Sequence, residues 1–179
     1  MKRYFLACLI LIGFFAFSSH FSSWADQPWK PFVSKEGKFS ILMPAPPSFT
    51  KTQHKSFVGT IEENTFRSKS NSESFNVEYS DLPRTALFLT GSDTIFEETK
   101  EGVLNNSRGI QLQFRSLVFQ GNPGKFLMFK IPPQKNEEEM IGKAYFYLVN
   151  QRLYVIIGIA PRAASSNIID QFLNSFKVF

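Results

Sequence analysis

Tyr145, Tyr147 and Tyr154, together with Arg152, are the residues of this sequence whose types and spacing could do chemistry. Alternate positions of a strand point to one face, so these four would set aromatic rings beside a guanidinium. That arrangement binds a peptide or a flat ligand. The plainer alternative is that tyrosines on a sheet face lie under a helix with their hydroxyls at its rim.

Other chemistries are poorly supplied. His20 falls in a leader-like segment and His54 is the other histidine, flanked by Gln53 and Lys55 in a weak edge segment, which reads as an exposed surface residue. A Ser-His-acid site would need a serine on a strained elbow, and no Gly-x-Ser-x-Gly occurs. The single cysteine, Cys8, also lies in the leader, so thiolate and imidazole zinc sites are not available after it is removed. Glu137, Glu138 and Glu139 could offer oxygens to an ion. Adjacent carboxylates in an extended loop point apart, however, so the run reads as solvated charge. No glycine-rich phosphate loop is present. Glu62, Glu63 and Asp81 are the carboxylates on which a hydrolase or lyase would have to rest, and they form no recognisable pair. No cofactor is implied.

The element that must position the tyrosines is a hairpin, Ile141 to Pro161, in which two apolar runs flank Asn150-Gln151. With that turn, Leu148 sits opposite Leu153, Phe146 opposite Val155 and Ala144 opposite Ile157. One face then carries Ala144, Phe146, Leu148, Leu153, Val155, Ile157 and Ile159. The other carries Tyr145, Tyr147, Val149, Arg152, Tyr154, Ile156 and Gly158. Neither face is polar, so the hairpin belongs in the middle of a sheet with both faces covered.

Around it, Asp26 to Pro31 reads as a lead-in whose Trp29 packs across the domain as a tether. Glu36-Gly37 is a turn before a strand at Phe39–Met43, which Pro44, Pro46 and Pro47 end. Ser48 to Lys55 reads as an edge strand, Ser56 to Ser68 as a half-exposed strand, Lys69 to Ser74 as a loop, and Phe75 to Ser80 as a strand closed by Asp81-Leu82-Pro83. The spacing predicts a first helix over Gly91 to Asn106, opened by a Thr94/Glu97 capping box, with Phe96, Val103 and Leu104 as its apolar stripe and Gly109 after its last turn. Strands at Ile110–Phe119 and Lys125–Ile131 flank Gly121-Asn122-Pro123-Gly124, read as a turn. A second helix over Ala164 to Phe176 shows Ile168, Ile169, Phe172, Leu173 and Phe176 at helical spacing. The short connections imply a mainly antiparallel sheet with helices on its faces, an α+β fold.

The amino terminus addresses the chain for export. Lys2 and Arg3 precede an apolar run from Phe5 to Phe17, and Ser23-Trp24-Ala25 offers small residues at both positions a signal peptidase reads, so residues 1–25 form a signal peptide. The apolar run is short of the ~20 residues a membrane span needs, so no stable anchor remains after cleavage. Phe5-Leu6-Ala7-Cys8 resembles part of a lipobox, but cutting there would leave almost no hydrophobic segment before the cysteine. Residues 26–179 have no cysteine and make one domain, large enough to be held by its core without disulfides. Its 18 basic residues against 15 acidic give a formal charge of +3, too mild for a nucleic-acid partner, and the 21 phenylalanines of the whole chain point to a large aromatic core.

With these elements in place the chain resembles the PsbP-like superfamily. The resemblance is carried by Glu36-Gly37-Lys38-Phe39-Ser40-Ile41-Leu42-Met43-Pro44, Val77-Glu78-Tyr79-Ser80-Asp81-Leu82-Pro83, Gly121-Asn122-Pro123-Gly124, Tyr147-Leu148-Val149-Asn150-Gln151-Arg152-Leu153-Tyr154 and Phe172-Leu173-Asn174-Ser175-Phe176-Lys177. It implies an α/β/α sandwich of the exported bacterial branch. That superfamily includes the extrinsic PsbP subunits of photosystem II, Ran-binding nuclear-import factors and many exported bacterial proteins without assigned activity. Fold does not carry function across such a group. The resulting expectation is a non-enzymatic binding or assembly module with a protein partner, periplasmic or secreted, or lumenal in a photosynthetic organism. A small-ligand carrier with a pocket between sheet and helix is the alternative, and a carboxylate-based hydrolase or lyase stands behind it.

Overall fold

The computed structural model describes residues 29–56, 59–133 and 138–179. The expected signal peptide, residues 1–25 with Cys8 and His20, Glu137 and the side chain of His54 lie outside what is described. Alternating apolar and polar positions carry most of the chain into strands. In order the elements are β1 (Lys30–Ser34), β2 (Phe39–Met43), β3 (Ser48–Ser56), β4 (Gly59–Ser70), β5 (Glu73–Asp81), α1 (Arg84–Ser107), β6 (Ile110–Phe119), β7 (Asn122–Ile131), β8 (Met140–Val149), β9 (Arg152–Pro161), α2 (Ser165–Asn174) and β10 (Lys177–Val178).

Seven strands form one antiparallel sheet in the order β3-β4-β5-β9-β8-β7-β6. The β8–β9 hairpin is interior, and its register pairs Leu148 with Leu153, Phe146 with Val155 and Ala144 with Ile157, as the turn at Asn150-Gln151 requires. Asn150 takes a φ of 58°, a left-handed conformation that asparagine tolerates. The aliphatic face of the hairpin joins Leu127, Phe129, Ile95 and Phe96 in a core closed by α1. The tyrosine face joins Phe75, Val77, Ile169, Phe172 and Phe176 in a second core under α2.

The second core has a roof that the sequence reading did not include. β1, β2 and β10 make a separate three-stranded antiparallel sheet, and Phe39, Ile41 and Met43 of β2 drive into the tyrosine side. Hence β2 is not part of the main sheet, and the lead-in before Ser34 continues into a strand. Strands this short register weakly in a sequence, because five residues give only two or three alternations. Trp29 does tether the start, its ring 4.9 Å from that of Phe75 and 6.3 Å from that of Phe172.

Three local readings are corrected. The loop over Lys69 to Ser74 shrinks to a tight turn at Asn71-Ser72, with Asn71 at φ 50° and both strands longer than expected. The β6–β7 turn is at Gln120-Gly121, with φ of 49° and 79°, the paired positive angles that match strand twist. Asn122, Pro123 and Gly124 already belong to β7. Gly124 is needed for closeness instead: a Cβ there would lie 2.7 Å from both the Tyr147 ring and the Phe146 carbonyl. Finally, a helical segment from Arg84 precedes the expected helix, which does start at a break at Gly91. Gly91 interrupts α1 with φ 74° and ψ 158°, which only glycine adopts cheaply, and Thr94 lies inside the helix, not at its cap. The segment before the break leaves Phe88 and Leu89 89% and 69% exposed, so core packing does not explain them. The left-handed cap after α1 is Arg108 (φ 53°); the Gly109 N–H donates to the Leu104 carbonyl at 2.8 Å, and the glycine makes room for Phe129.

Candidate functional site

Tyr145, Tyr147, Tyr154 and Arg152 are brought to one face, as alternation requires, and that face is mostly interior. Tyr147 is buried and stacked on Phe119 at 4.3 Å and Phe176 at 5.9 Å. Tyr154 is buried, and its hydroxyl donates to the Gly37 carbonyl at 2.8 Å. Tyr145 is half-buried beside Phe126, its hydroxyl 3.4 Å from Asn174 Oδ1 at the end of α2, so it alone matches a ring under a helix with its hydroxyl at the rim. Burial raises all three phenol pKa values, which keeps the rings neutral. The three hydroxyls do not converge on a common opening.

Arg152 is engaged on every side. Its Nε and Nη2 donate to Asp81 Oδ1 and Oδ2, each at 2.6 Å, and its Nη1 donates to the Glu36 carbonyl at 2.7 Å. Its guanidinium lies 4.6 Å from the centre of the Tyr79 ring. The bond to Asp81 holds the arginine pKa up and the Asp81 pKa down, so both stay charged. The register of β5 with β9 puts these two residues directly opposite each other.

This pair forms the floor of a groove of about 480 Å³ at one end of the sandwich, lined by Lys38, Gln120, Gln151 and Phe179 as well as Asp81, Arg152 and Tyr154. Five segments distant in sequence supply it: the β1–β2 turn, the end of β5, the β6–β7 turn, the β8–β9 turn with the start of β9, and the carboxyl-terminal residues. Phe179, whose N–H donates to the Lys38 carbonyl at 3.2 Å, is 64% exposed at its edge. Lys38 and Gln120 could not be assigned to a site from sequence, because each is a turn residue whose neighbours arrive only with the fold.

A second opening lies on the opposite face, between the sheet and α1. It encloses about 190 Å³ and is lined by Glu63, Glu78, Ser80, Thr99, Gly102, Val103, Asn106, Leu153 and Val155. Glu78 is partly buried. Desolvation, and then the charge of Glu63, push its pKa up to about 7, while Arg67 pulls the other way. Of the carboxylates weighed from sequence, Glu62 pairs with Lys51 at 2.7 Å and Asp81 with Arg152, so Glu63 is the one that enters this cleft. Glu78 was missed because, in a strand that alternates Asn76, Glu78 and Ser80 against Phe75, Val77 and Tyr79, the polar set reads as facing water. Among the described residues no three histidine, cysteine, aspartate or glutamate side chains gather closely enough to hold a metal ion. Glu139 of the acidic loop pairs with Arg162. No helix among them is long and apolar enough to cross a membrane.

No family model matches the chain, and no curated protein matches it. Solved structures do. The solution structure of cyanobacterial PsbP (CyanoP) from Synechocystis sp. PCC 6803 is similar over 84% of this chain and 92% of that one, at 15% identity and a TM-score of 0.57. A crystal structure from Bacteroides thetaiotaomicron covers 86% of this chain and 49% of that one, at 12% identity and a TM-score of 0.46. The antiparallel seven-stranded sheet with its interior hairpin, and the agreement with CyanoP along nearly the whole of both chains, show that this chain has the PsbP-like α+β fold.

Proposed function

We propose that this chain is an exported, non-enzymatic binding or assembly module that docks a protein partner at the groove beside Arg152. The observation that carries the reading is that groove itself: about 480 Å³, built by residues from five separate segments and floored by a bidentate ion pair. A rigid floor with polar side chains at its rim and an exposed phenylalanine at its edge has the mixed character of a protein-recognition surface. Export is supported by the leader-like residues 1–25. The three tyrosines enter this reading as the packed support of the groove, with Tyr154 reaching it from below.

The test places a photo-crosslinking residue at Gln120 or Gln151 in the producing cell, with Ser72 at the opposite end of the sheet as control. The same discrete adduct from Gln120 and Gln151, recovered from the exported fraction and missing from Ser72, supports the reading. Crosslinking no different from Ser72, or protein retained in the cytoplasm with its leader uncleaved, overturns it.

A further inference from the structure

The large sheet ends in two edge strands, and the two edges are built differently. β3 carries Lys51 and Lys55, charges of the kind that keep a free edge from pairing. β6, at the other end, reads Ile-Gln-Leu-Gln-Phe-Arg-Ser-Leu-Val-Phe, with Arg115 as its one charge and no proline. That charge is turned from the edge, since its guanidinium lies 4.7 Å from the centre of the Phe126 ring on the inner neighbour β7. Among the described residues no strand pairs with the outer side of β6, and Val118 is 75% exposed. An edge of this composition is a template for another strand.

The usable stretch has two limits. A bulge at Leu112, where the register with β7 shifts, bends the strand at one end, and the Gln120-Gly121 turn closes it at the other. Between them Gln113–Phe119 is regular, with Ser116 at its midpoint. Phe119 and Asn122 flank a two-residue turn, so they exchange both of their backbone hydrogen bonds. Bonding then alternates along the ladder. Phe119, Leu117, Arg115 and Gln113 direct their backbone groups at β7, and Val118, Ser116 and Phe114 direct theirs outward.

We propose that β6 pairs with β6 of a second copy of this chain, antiparallel and about a two-fold axis at Ser116. That register sets Phe114 against Val118 of the second copy, Ser116 against Ser116 and Val118 against Phe114, so every outward backbone group meets another and each pair exchanges two hydrogen bonds. The contact is self-complementary, as a closed dimer requires. Phe114 packs in the core under α1, with the Lys100 ammonium 5.0 Å from its ring centre. On that face it meets the Val118 of the other copy, an aromatic and β-branched pair of the favourable kind, and the small serines occupy the axis. On the opposite face Arg115 lies across from Leu117, and Gln113 from Phe119.

Neighbouring registers fit less well. An axis at Arg115 sets the two arginines directly opposite, where like charges destabilise, and an axis at Leu117 sets Phe114 against the turn residue Gln120. A strand from an unrelated protein could satisfy the same backbone groups, but the fit of this stretch to itself selects a second copy. One pair of strand edges makes less than the ~1,600 Å² of a standard interface, so the dimer is a micromolar one.

Sedimentation equilibrium of the purified protein, with its leader removed, should show a monomer–dimer equilibrium. Val118→Lys puts a charge at an exposed edge position and should weaken the dimer at least ~tenfold, while circular dichroism shows the fold retained. The register has its own readout. The chain has no cysteine after Cys8, so Ser116→Cys supplies a single thiol, which a short bismaleimide should join between copies. Thr50→Cys, on the β3 edge, should stay unjoined. A chain that is monomeric at every concentration into the millimolar range overturns the proposal, including one that stays monomeric while capturing a different protein. So does a dimer that Val118→Lys leaves as tight, or crosslinking of Ser116→Cys no greater than that of Thr50→Cys.

Discussion

Arg152 and Asp81 face each other across β9 and β5, joined by two parallel hydrogen bonds of 2.6 Å, while the third nitrogen of the arginine reaches over to the Glu36 carbonyl at 2.7 Å. One guanidinium thus ties an interior strand of the large sheet to its neighbour and to the turn of the small sheet. A lysine could not do this, because a single ammonium lacks the planar fork.

Arg152→Lys and Arg152→Ala should both destabilise the fold, by about 1 and 2 kcal/mol respectively, since the alanine also uncovers the Tyr79 ring and orphans the Glu36 carbonyl. Asp81 is substantially exposed, so the ion pair itself contributes only a part. The Asp81 pKa is lowered in the folded state, so its contribution is complete above the usual aspartate range and lost as pH falls through the folded value. Urea unfolding at pH 7 and pH 3 checks both points: the gap between wild type and Asp81→Asn should narrow at the acidic pH.

Tyr154→Phe removes the one donor on the Gly37 carbonyl from β9 and should cost about 1–2 kcal/mol with little change in the aromatic packing against Phe39 and Phe176. The turn cannot adjust easily. Gly37 is pressed so closely that a Cβ would lie 2.7 Å from the Phe39 ring and 2.8 Å from Ser34 Oγ. Chemical denaturation gives the energy, and amide exchange at Gly37 and Lys38 should accelerate.

Glu78→Gln should stabilise the protein at pH 8 by about 1–3 kcal/mol, because the wild-type carboxyl is ionised there in a site that disfavours the charge. Its folded pKa of about 7 exceeds the value of 4.5 for a free glutamate. The wild type is thus favoured below the free value and loses that stability as pH rises through 7. Thermal unfolding between pH 4 and pH 8 should show a decline in the wild type that the glutamine variant lacks.

Gly142 lies opposite Phe129 across β8 and β7, directly beneath its ring, and a Cβ there would collide with it. Gly142→Ala should cost about 2–3 kcal/mol by forcing the ring off its rotamer within a closed core. Because the effect is a contact between two residues, Phe129→Leu should restore part of it, and a double-mutant cycle by urea unfolding should return a coupling above about 1 kcal/mol.

Much of this was legible beforehand in the interior hairpin. Residues from Ile141 to Pro161 alternate over nine positions before and ten after a two-residue turn, so register and both buried faces followed from a period of two, and the structure agrees pair for pair. The apolar stripes of α1 and α2 were likewise clear, because Phe96, Val103 and Leu104, and Ile169, Phe172 and Leu173, repeat at helical spacing. The second sheet was not. β1 and β10 span five and two residues, and β2 has nothing in its own sequence to say which sheet it joins. Turns whose positive φ falls on Asn71, Gln120 or Arg108 also escaped, since asparagine signals such angles weakly and glutamine and arginine hardly at all.

The candidate sites divide along the same line. Sequence by itself determined that Tyr145, Tyr147, Arg152 and Tyr154 share a face, because the side chains of a strand alternate whatever surrounds it. Only the tertiary structure decided that this face is roofed by β2 and α2, that Arg152 is held by Asp81, and that Glu78 and Glu63 meet beneath α1. Those relationships depend on which distant segments lie against each face, and local spacing carries no record of that.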